Sequence, residues 1–325
     1  MKGEKLMNIE IVNDIRKANA ITHNGCFHAD ELFCTVLLMM ILPKVFLARI
    51  PSITSRINNA IVYDIGGGKF DHHQPGGNGC RSNGIKYSSF GLMWLAYGLR
   101  ILEEYYKCSS KDALILWKLI DEDFVQSIDC IDNGQIPKIS FPTKIKSLSA
   151  GLADFYPSWD TVTPELENEK FLEALQVAKH LFNNTVVKTI SKLQAKNWVE
   201  DAIEHHSHSG ILVLPKFMPW RTWTTNSENY KAKKINFVVF PDNRTGGYTI
   251  STVPKGPNSN IKKMLLPEDW AGLAGQNLSR RCNVESAIYC HPQRHIAGAK
   301  TLLGAVEMAS IAITMAQLKY YQKCS

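Results

Sequence analysis

The sequence predicts an α/β fold, in which a mostly parallel sheet with flanking helices is followed by a smaller C-terminal α+β domain. Three patterns predict this class. Short β-branched runs alternate with helical patterns in the first half, one long stretch of helical spacing occupies the middle, and strand patterns dominate the last third. With 325 residues, the chain is long enough for two domains with buried cores.

The first domain, assigned to residues 1–165, alternates strands and helices at the pace expected of a parallel sheet. The pattern predicts strands that end near residue 23 and cover 45–50 and 61–63, and helices at 31–42, 90–106 and 112–131. The helix at 31–42 is apolar nearly all round, as expected of a helix buried against a sheet. We interpret Asp121, Glu122 and Asp123 as a solvated helix face.

The second half begins with a long helix and continues as a β-rich domain. Helical spacing from 171 to 193 predicts one helix, or two with a break near Asn183, and we assign 166–209 to this connection. The domain at 210–325 is predicted to contain strands at 211–214, 235–240, 248–253 and 287–290, and helices at 266–281 and 301–321.

Composition excludes several classes of protein. Hydrophobic content of 45% is ordinary for a globular protein, and no apolar run approaches the roughly 18 residues needed to span a bilayer, so we expect no membrane partner. Eight cysteines without a C-x-x-C pair argue against a disulfide framework and the usual structural zinc site. The N-terminus lacks a signal peptide, so we expect an intracellular protein of the cytoplasm or nucleus; a mitochondrial location stays open.

Charge is distributed unevenly along the chain. Residues 206–325 carry 15 Lys and Arg against 6 Asp and Glu, whereas the remainder is nearly balanced. Lysines of this basic part lie near Trp220, Trp223 and Trp270, a combination that suits single-stranded nucleic acid. Two alternatives stay open. The positive charge could serve solubility and have no binding partner, and the tryptophans could be buried in a core.

Histidines and aspartates gather at predicted loop junctions of the first domain. The cluster comprises His23, His28, Asp30, Asp64, His72, His73 and Asp132. Two hydrolytic metal ions need mixed hard ligands with one shared carboxylate, and Asp64, at a strand end beside a glycine turn, is placed to bridge. Imidazole with carboxylate suits Mn²⁺, and also Zn²⁺ or iron, better than Mg²⁺. A second cluster, Glu204 to His208, lacks a metal-binding spacing and is interpreted as a solvated loop.

Motifs in a fixed order make the chain similar to a known family. It resembles the DHH phosphoesterase superfamily and, within it, the MYG family of exonucleases. The first half carries Thr22-His23-Asn24-Gly25, Phe27-His28, Asp30-Glu31, Asp64-Ile65-Gly66-Gly67, Phe70-Asp71-His72-His73-Gln74, Lys86, Ser88-Ser89, Gly91-Leu92, Asp129 and Asp132-Asn133-Gly134. The second half carries Pro219-Trp220, Phe240-Pro241-Asp242, Leu266-Pro267, Trp270, Gly272-Leu273 and Lys300-Thr301.

The resemblance implies a role for each site residue. His23, His28 and Asp64 would hold one metal ion, and Asp30, Asp64, His72 and Asp132 the other. His73 would contact the substrate phosphate, and Asp71 would orient a histidine, which makes both catalytic. Substrate-binding roles follow for Lys86, Ser88, Ser89, His291, Arg294 and Lys300. Whether Asp129 or Asp132 is the ligand of the fourth motif stays open; we choose Asp132 because Asp-Asn-Gly best resembles the superfamily's turn.

The implied fold is a DHH-type sheet with a substrate-binding second domain, and the implied activity is metal-dependent phosphodiester hydrolysis. We expect a 3′→5′ exoribonuclease that uses two Mn²⁺ ions, with Mg²⁺ as the alternative, and RNA or another single-stranded nucleic acid as partner. A hydrolase of small phosphorylated metabolites or pyrophosphate and a non-catalytic RNA-binding protein are the alternatives, and a homo-oligomer stays open. The chain departs from the family in a shortened turn between Gly66 and Asp71, in Ala271, and in few glycines between Arg294 and Gly298.

Overall fold

The computed structural model describes residues 8–53, 59–136, 143, 145–205, 207–225, 229–243, 246–256 and 258–324. The chain divides into two compact units, Met1–Ile190 and Ser191–Ser325, with the boundary inside one long helix. The first unit contains a parallel sheet with helices, and the second contains a mixed sheet with helices. The predicted α/β class with a second α+β part is therefore confirmed.

The sheet of the first unit brings two strand ends side by side. Its strands are β1 (Ile9–Ile11), β2 (Ala20–His23), β3 (Val45–Ile50) and β4 (Ile61–Val62), in the order β1-β3-β2-β4 with all pairs parallel. β2 lies in the middle and is buried because helices cover a parallel sheet. Since neighbouring parallel strands end at one edge, His23 at the end of β2 and the residues after β4 meet there.

Helices bury the first sheet through an aromatic core. They are α1 (Ala29–Ile41), α2 (Ser89–Arg100), α3 (Ser110–Ile120), α4 (Gln126–Asp132), α5 (Leu148–Ala153) and α6 (Pro164–His205). From Ala29 to Met39 every residue of α1 is buried, as its apolar sequence predicts. Phe33 of α1 stacks on Phe90 of α2 and meets Phe182 of α6, with ring centroids 5.1 and 6.4 Å away. α6 runs without a break at Asn183.

The second unit is built on a six-stranded sheet. Its strands are β5 (Ser207–His208), β6 (Ile211–Val213), β7 (Phe237–Asp242), β8 (Gly247–Thr252), β9 (Ala287–Cys290) and β10 (Ile296–Ala299), in the order β5-β6-β7-β8-β10-β9. Only β6 and β7 pair in parallel among these described strands. The helices are α7 (Arg221–Thr225), α8 (Tyr230–Lys234), α9 (Gly275–Cys282) and α10 (Leu302–Cys324). Val239 and Ile250 share one core with residues of α9 and α10.

Several details of the fold differ from the prediction. The predicted helix at 266–281 is only a 3₁₀ turn, Glu268–Trp270, followed by α9, because Gly272 takes a left-handed conformation with φ of +74° that ends the turn. β1, β5 and β10 and the short helices α5, α7 and α8 were not predicted, because two to six residues are too few to establish a strand or helix period.

We expected no apolar stretch long enough to span a membrane, and one stretch contradicts this expectation by its length and composition. By length and hydropathy, Leu302–Lys319 of α10 meets the threshold, and it is the one such window in the described chain. A core helix of a globular protein passes the same test. α10 places Ala305, Met308 and Ala312 in the core of the second sheet, so this window is weak support for a membrane span.

Candidate metal centre

Asp64 stands at the centre of a cluster of carboxylates and imidazoles. It follows β4 by one residue and has a left-handed backbone conformation, with φ of +59°. Such a conformation is uncommon for a residue other than glycine, although aspartate tolerates it, and it occurs often at functional sites. The backbone N–H of Asp64 donates to the carbonyl of Phe70 at 3.0 Å, which closes the shortened turn. Gly66 in this turn has φ of +86°, a left-handed conformation that favours glycine.

The two oxygens of Asp64 face different partners. Oδ2 lies 3.3 Å from His23 Nε2, whereas Oδ1 lies 3.4 Å from His72 Nε2 and accepts a hydrogen bond from the Ser89 hydroxyl at 2.9 Å. Burial raises the pKa of Asp64, but hydrogen bonds from His23 and His72 outweigh it, and the pKa is held well below its usual range. An ionised carboxylate between two imidazoles has the arrangement expected of a bridging ligand.

His72 collects the carboxylates on one side of Asp64. Its Nε2 lies 3.0 Å from Asp132 Oδ2 and 3.7 Å from Asp30 Oδ2. Asp30, in the first turn of α1, is 1% exposed, and within the described residues neither of its oxygens has a hydrogen-bond partner. Burial and the nearby charges of Asp64 and Asp132 raise the pKa of Asp30. A buried carboxylate without hydrogen bonds is costly unless a proton or a cation neutralises it.

His23 lies on the other side of Asp64 and contacts a second set of groups. Its Nε2 forms an ion pair with Glu31, and its Nδ1 lies 2.9 Å from the carbonyl of Asn24. Burial raises the pKa of Glu31, whose side chain is fully buried, to about 7. Burial lowers the pKa of His23, but hydrogen bonds to Asp64 and Glu31 outweigh it and raise the pKa to about 11. A divalent cation bound here would replace the proton that the carboxylates of Asp64 and Glu31 stabilise on His23.

Glu31 had been assigned no role from the sequence, although it belongs to the first motif. Its partner Arg49 was also missed. The guanidinium of Arg49 is buried, lies 3.7 Å from Glu31 Oε1 and donates to the carbonyl of Gly25 at 2.9 Å. The signal for Arg49 was a cation inside the apolar strand pattern of β3, because a buried arginine needs an acidic partner.

His28 lies where the two groups meet. It precedes α1, is exposed, and its ring centroid lies 6.1 Å from that of His23. Potential ligand atoms lie within 4.8 Å of one another in each of three sets: His23, His28 and Glu31; Asp64, His72 and His73; and His28, Asp30 and Asp132. Adjacent ligands of an octahedral ion at about 2.1 Å lie about 3 Å apart, so these oxygens and nitrogens fit divalent cations after small adjustments.

Asp71 holds His73 beside this cluster. Its Oδ1 lies 2.7 Å from His73 Nδ1, and its Oδ2 accepts from the Gly67 N–H at 2.6 Å. Burial raises the pKa of Asp71, but the bonds from Gly67 and His73 outweigh it and lower the pKa. The His73 side chain is 60% exposed and therefore accessible to a substrate. This contact is the one that the resemblance implied for an orienting aspartate.

The two candidate aspartates of α4 lie in different surroundings. Asp132 contacts His72, whereas Asp129 is fully buried and accepts hydrogen bonds from the Ser88 hydroxyl at 2.6 Å and the Gly91 N–H at 3.0 Å. Arg81 lies 2.8 Å from Asp129. The geometry favours Asp132 as the ligand and gives Asp129 a supporting position.

The interpretation of Asp121 as part of a solvated face was wrong. Arg81 donates to both oxygens of Asp121, at 2.8 and 2.6 Å, and the Asp121 carboxylate is largely buried. Asp121 lies four residues before Val125 and eight before Asp129, so it shares their buried helix face.

The predicted substrate-binding residues fall into two groups. Ser88 and Ser89 are fully buried, and their hydroxyls donate to Asp129 and Asp64, which is not the substrate contact that we predicted. Lys86 is exposed. The other three residues belong to the second unit: His291 accepts from the N–H of Gln293 at 3.1 Å, Arg294 has φ of +58°, and Lys300 is exposed. Their binding roles remain predictions.

The competing cluster at the end of α6 shows ordinary surface pairs. His205 Nδ1 lies 3.0 Å from Asp201, and Glu204 pairs with Lys231 at 2.6 Å. His206 and the side chain of His208 lie outside the described residues. Glu204 and His205 are exposed, as we expected, but the described part of this cluster belongs to α6 and β5 rather than to a loop.

A family profile described as MYG1 exonuclease, an uncharacterised protein family (UPF0160), matches residues 19–313. The chain belongs to the MYG1 exonuclease family. The MYG1 protein of Saccharomyces cerevisiae is 32% identical over 326 residues, covering 90% of this chain and 94% of that protein. The MYG1 protein of Dictyostelium discoideum is 30% identical, covering 89% and 94%, and the human MYG1 exonuclease is 30% identical, covering 94% and 87%.

Two solved structures are more distantly similar. A pGpG-specific phosphodiesterase, PggH from Vibrio cholerae, is 11% identical with a TM-score of 0.29, covering 93% of this chain and 99% of that chain. RecJ from Thermus thermophilus in complex with Mg²⁺ is 13% identical with a TM-score of 0.28, covering 93% and 50%. Because the TM-scores are this low, we draw no conclusion about this MYG1-family chain from either structure.

Proposed function

We propose that this MYG1-family chain is a divalent-metal-dependent phosphodiester hydrolase of the DHH phosphoesterase superfamily that removes nucleotides from the 3′ end of RNA. The observation that carries the proposal is the buried cluster around Asp64, where carboxylates and imidazoles converge at the edge of a parallel sheet. Membership of an exonuclease family supports phosphodiester hydrolysis, and the resemblance of the ordered motifs implies the superfamily and the 3′ polarity.

Asp64 would bridge two ions, with His23 and His28 on one side and Asp30, His72 and Asp132 on the other. Divalent ions bound in such a site lower the pKa of water and stabilise negative charge that develops on a phosphate. Ligands of mixed nitrogen and oxygen type favour Mn²⁺ over Mg²⁺. Glu31 is close enough to serve as a further ligand of the His23 group.

The remaining residues orient the reacting groups. Asp71 fixes the tautomer of His73 by accepting from Nδ1–H, which leaves Nε2 as acceptor in the neutral ring, or donor when protonated. A protonated His73 would donate to a phosphate oxygen and stabilise charge that forms in the transition state. The basic second half would hold the RNA strand through its phosphates.

Metal content of the purified protein tests the site. We expect two Mn²⁺ per chain in the wild type, and loss of most bound metal and of more than about 100-fold in activity for Asp64→Asn and His72→Ala. Asp14→Asn is the matched control, since Asp14 is an exposed acid paired with Arg16. Wild-type metal content in both site variants would show that the site lies elsewhere.

The polarity and substrate are tested with labelled RNA. RNA labelled at its 5′ end should give a ladder that shortens one nucleotide at a time, and RNA blocked at its 3′ end should resist. Hydrolysis confined to dinucleotides or pyrophosphate would favour the small-metabolite alternative. RNA binding without turnover in the wild type, unchanged by Asp64→Asn, would favour the binding protein.

A further inference from the structure

An apolar cavity of about 390 Å³ lies in the second unit, outside the site described above. Phe217, Phe240, Pro241, Thr249 and Ile296 line it, together with Asp242 and Asn243. Phe240 and Thr249 are paired neighbours on β7 and β8, so their side chains share one face of the sheet. Val239, the preceding residue, belongs to the core formed with α10, so the cavity lies on the opposite face. Its volume falls in the range of about 300–1,000 Å³ in which small ligands bind.

Phe217 is an exposed aromatic residue in the lining of this cavity. It is 62% exposed although it lies beside this apolar wall. Its ring packs edge to face on the ring of Phe240, with the two centroids 5.2 Å apart. The contact with Phe240 orients the Phe217 ring and leaves much of it uncovered. A fixed, uncovered aromatic ring is a platform on which a planar ring can stack, because every nucleobase presents a π face.

Polar groups stand at one end of this apolar wall. Asp242 ends β7, and Asn243 follows it in the lining. Asn243 is exposed, and its side-chain amide both donates and accepts, which matches the edges of nucleobases. Lys216, directly before Phe217, is exposed and places its ammonium 5.6 Å from the ring centroid of Trp198, and its positive charge suits a nucleic-acid backbone.

The geometry points to a nucleobase-binding subsite in this cavity, with Phe217 as the stacking platform for one base of a single-stranded RNA. The inference rests on the proposed function in that RNA is the ligand. Among the described residues that line a larger cavity of about 740 Å³ near Lys231 and Lys234, none is aromatic, and Lys231 is paired with Glu204. This described lining therefore lacks the feature that selects a base.

Binding of short RNA to the full-length chain tests the subsite. Fluorescein-labelled hexa-adenylate and six versions, each with one abasic residue, are measured by anisotropy in EDTA, so that no turnover occurs. In the wild type we expect one abasic position to weaken binding about tenfold. Phe217→Ala should weaken the intact hexamer by a similar factor and abolish the difference at that position alone. Phe217→Leu, which keeps an apolar side chain without a ring, should fall between.

Leu303→Ala is the matched control, because Leu303 is an exposed apolar residue of the same unit on α10, outside this lining. It should bind all seven hexamers as the wild type does. The subsite is overturned if abasic and intact hexamers bind the wild type equally, if no hexamer binds, or if Phe217→Ala weakens every hexamer by the same factor. Equal thermal unfolding of the variants confirms that an altered fold does not cause the loss.

The same measurement separates this inference from the proposed function. Position-dependent binding that requires Phe217, together with no hydrolysis of RNA in Mn²⁺, would retain the subsite and remove the exonuclease. Hydrolysis of RNA that is lost in Asp64→Asn, with no dependence on any base, would retain the exonuclease and remove the subsite.

Discussion

At the scale of single residues, the candidate metal centre depends on ionisable groups beneath the proposed ligands. Arg49 pairs with Glu31, and Glu31 pairs with His23. Arg49 also lies over the ring of Phe171, 4.5 Å from its centroid, and donates to Asn168 at 3.2 Å. Because its planar fork reaches partners in several directions, this arginine fixes the loop from which His23 and His28 extend.

Arg49→Lys should weaken Mn²⁺ binding by about 10- to 100-fold, because a lysine keeps the charge but cannot reach Gly25, Asn168 and Glu31 together. Isothermal titration with Mn²⁺ measures this loss. Arg16→Lys is the control, since Arg16 is an exposed arginine paired with Asp14. Equal Mn²⁺ affinity in wild type and Arg49→Lys would show that Arg49 does not position the ligands.

Substitution of Asp129 should mainly lower the stability of the protein, whereas substitution of Asp132 should mainly lower its metal binding. Asp129→Ala removes the buried partner of Arg81, Ser88 and Gly91 and should lower the free energy of unfolding by about 3 kcal/mol or more. Asp132→Ala removes a partly exposed carboxylate and should change stability by less than about 1 kcal/mol while lowering bound Mn²⁺. Urea unfolding in EDTA and metal analysis measure the two effects. The reverse pattern would make Asp129 the ligand.

At the scale of elements, the start of α2 is locked against α4. The N–H of Gly91 donates to Asp129, and a Cβ at Gly91 would lie only 2.0 Å from Asp129 Oδ2. Ser89, in the same first turn, donates to Asp64. The first turn of α2 therefore connects the supporting aspartate of α4 to the proposed bridging carboxylate, so displacement of one element moves the other.

Gly91→Ala should lower the free energy of unfolding by about 1–3 kcal/mol, because the added methyl group overlaps Asp129 and the packing must shift. Gly151→Ala in α5 is the matched control. A Cβ there meets nothing within 4 Å, so the substitution should be neutral or raise stability by up to about 1 kcal/mol. Chemical denaturation measures both, and equal effects would mean that the close approach of α2 to Asp129 does not constrain the fold.

At the scale of the whole molecule, positive charge is concentrated in the second half of the chain. Residues 206–325 have a surplus of nine positive charges, which suits binding to the phosphates of RNA. Such binding depends on salt, because cations released from the RNA drive it.

Affinity for hexa-adenylate should fall about 20-fold between 50 and 200 mM salt if about three phosphates are contacted, since each contributes about −0.7 to the logarithmic slope. Anisotropy in EDTA measures the slope. Lys300→Gln should make it shallower by about 0.7, whereas Lys111→Gln, an exposed lysine of the first unit, should not. A slope near zero would contradict an electrostatic role for the basic half.

Most elements and the proposed ligands could be predicted from local patterns, whereas their supporting contacts could not. The apolar run of α1 and the β-branched run of β3 specify a buried helix and strand, because burial of apolar side chains follows their spacing. An arginine inside the apolar strand β3 indicates that Arg49 needs an acidic partner, but not that the partner is Glu31, since the two are 18 residues apart and meet only in the folded chain. Gly272 ended the predicted helix at 266–281 through its backbone conformation.

The sequence by itself determined the α/β class and the family, and it predicted the histidines and aspartates that we propose as ligands, because residue type and order carry that information. The tertiary structure alone decided which of them meet. It placed Asp132 rather than Asp129 beside His72, turned Ser88 and Ser89 towards carboxylates, and buried Asp30 without a hydrogen-bond partner among the described residues. The physical reason is that burial and electrostatic fields depend on groups that are distant in the chain and close in space.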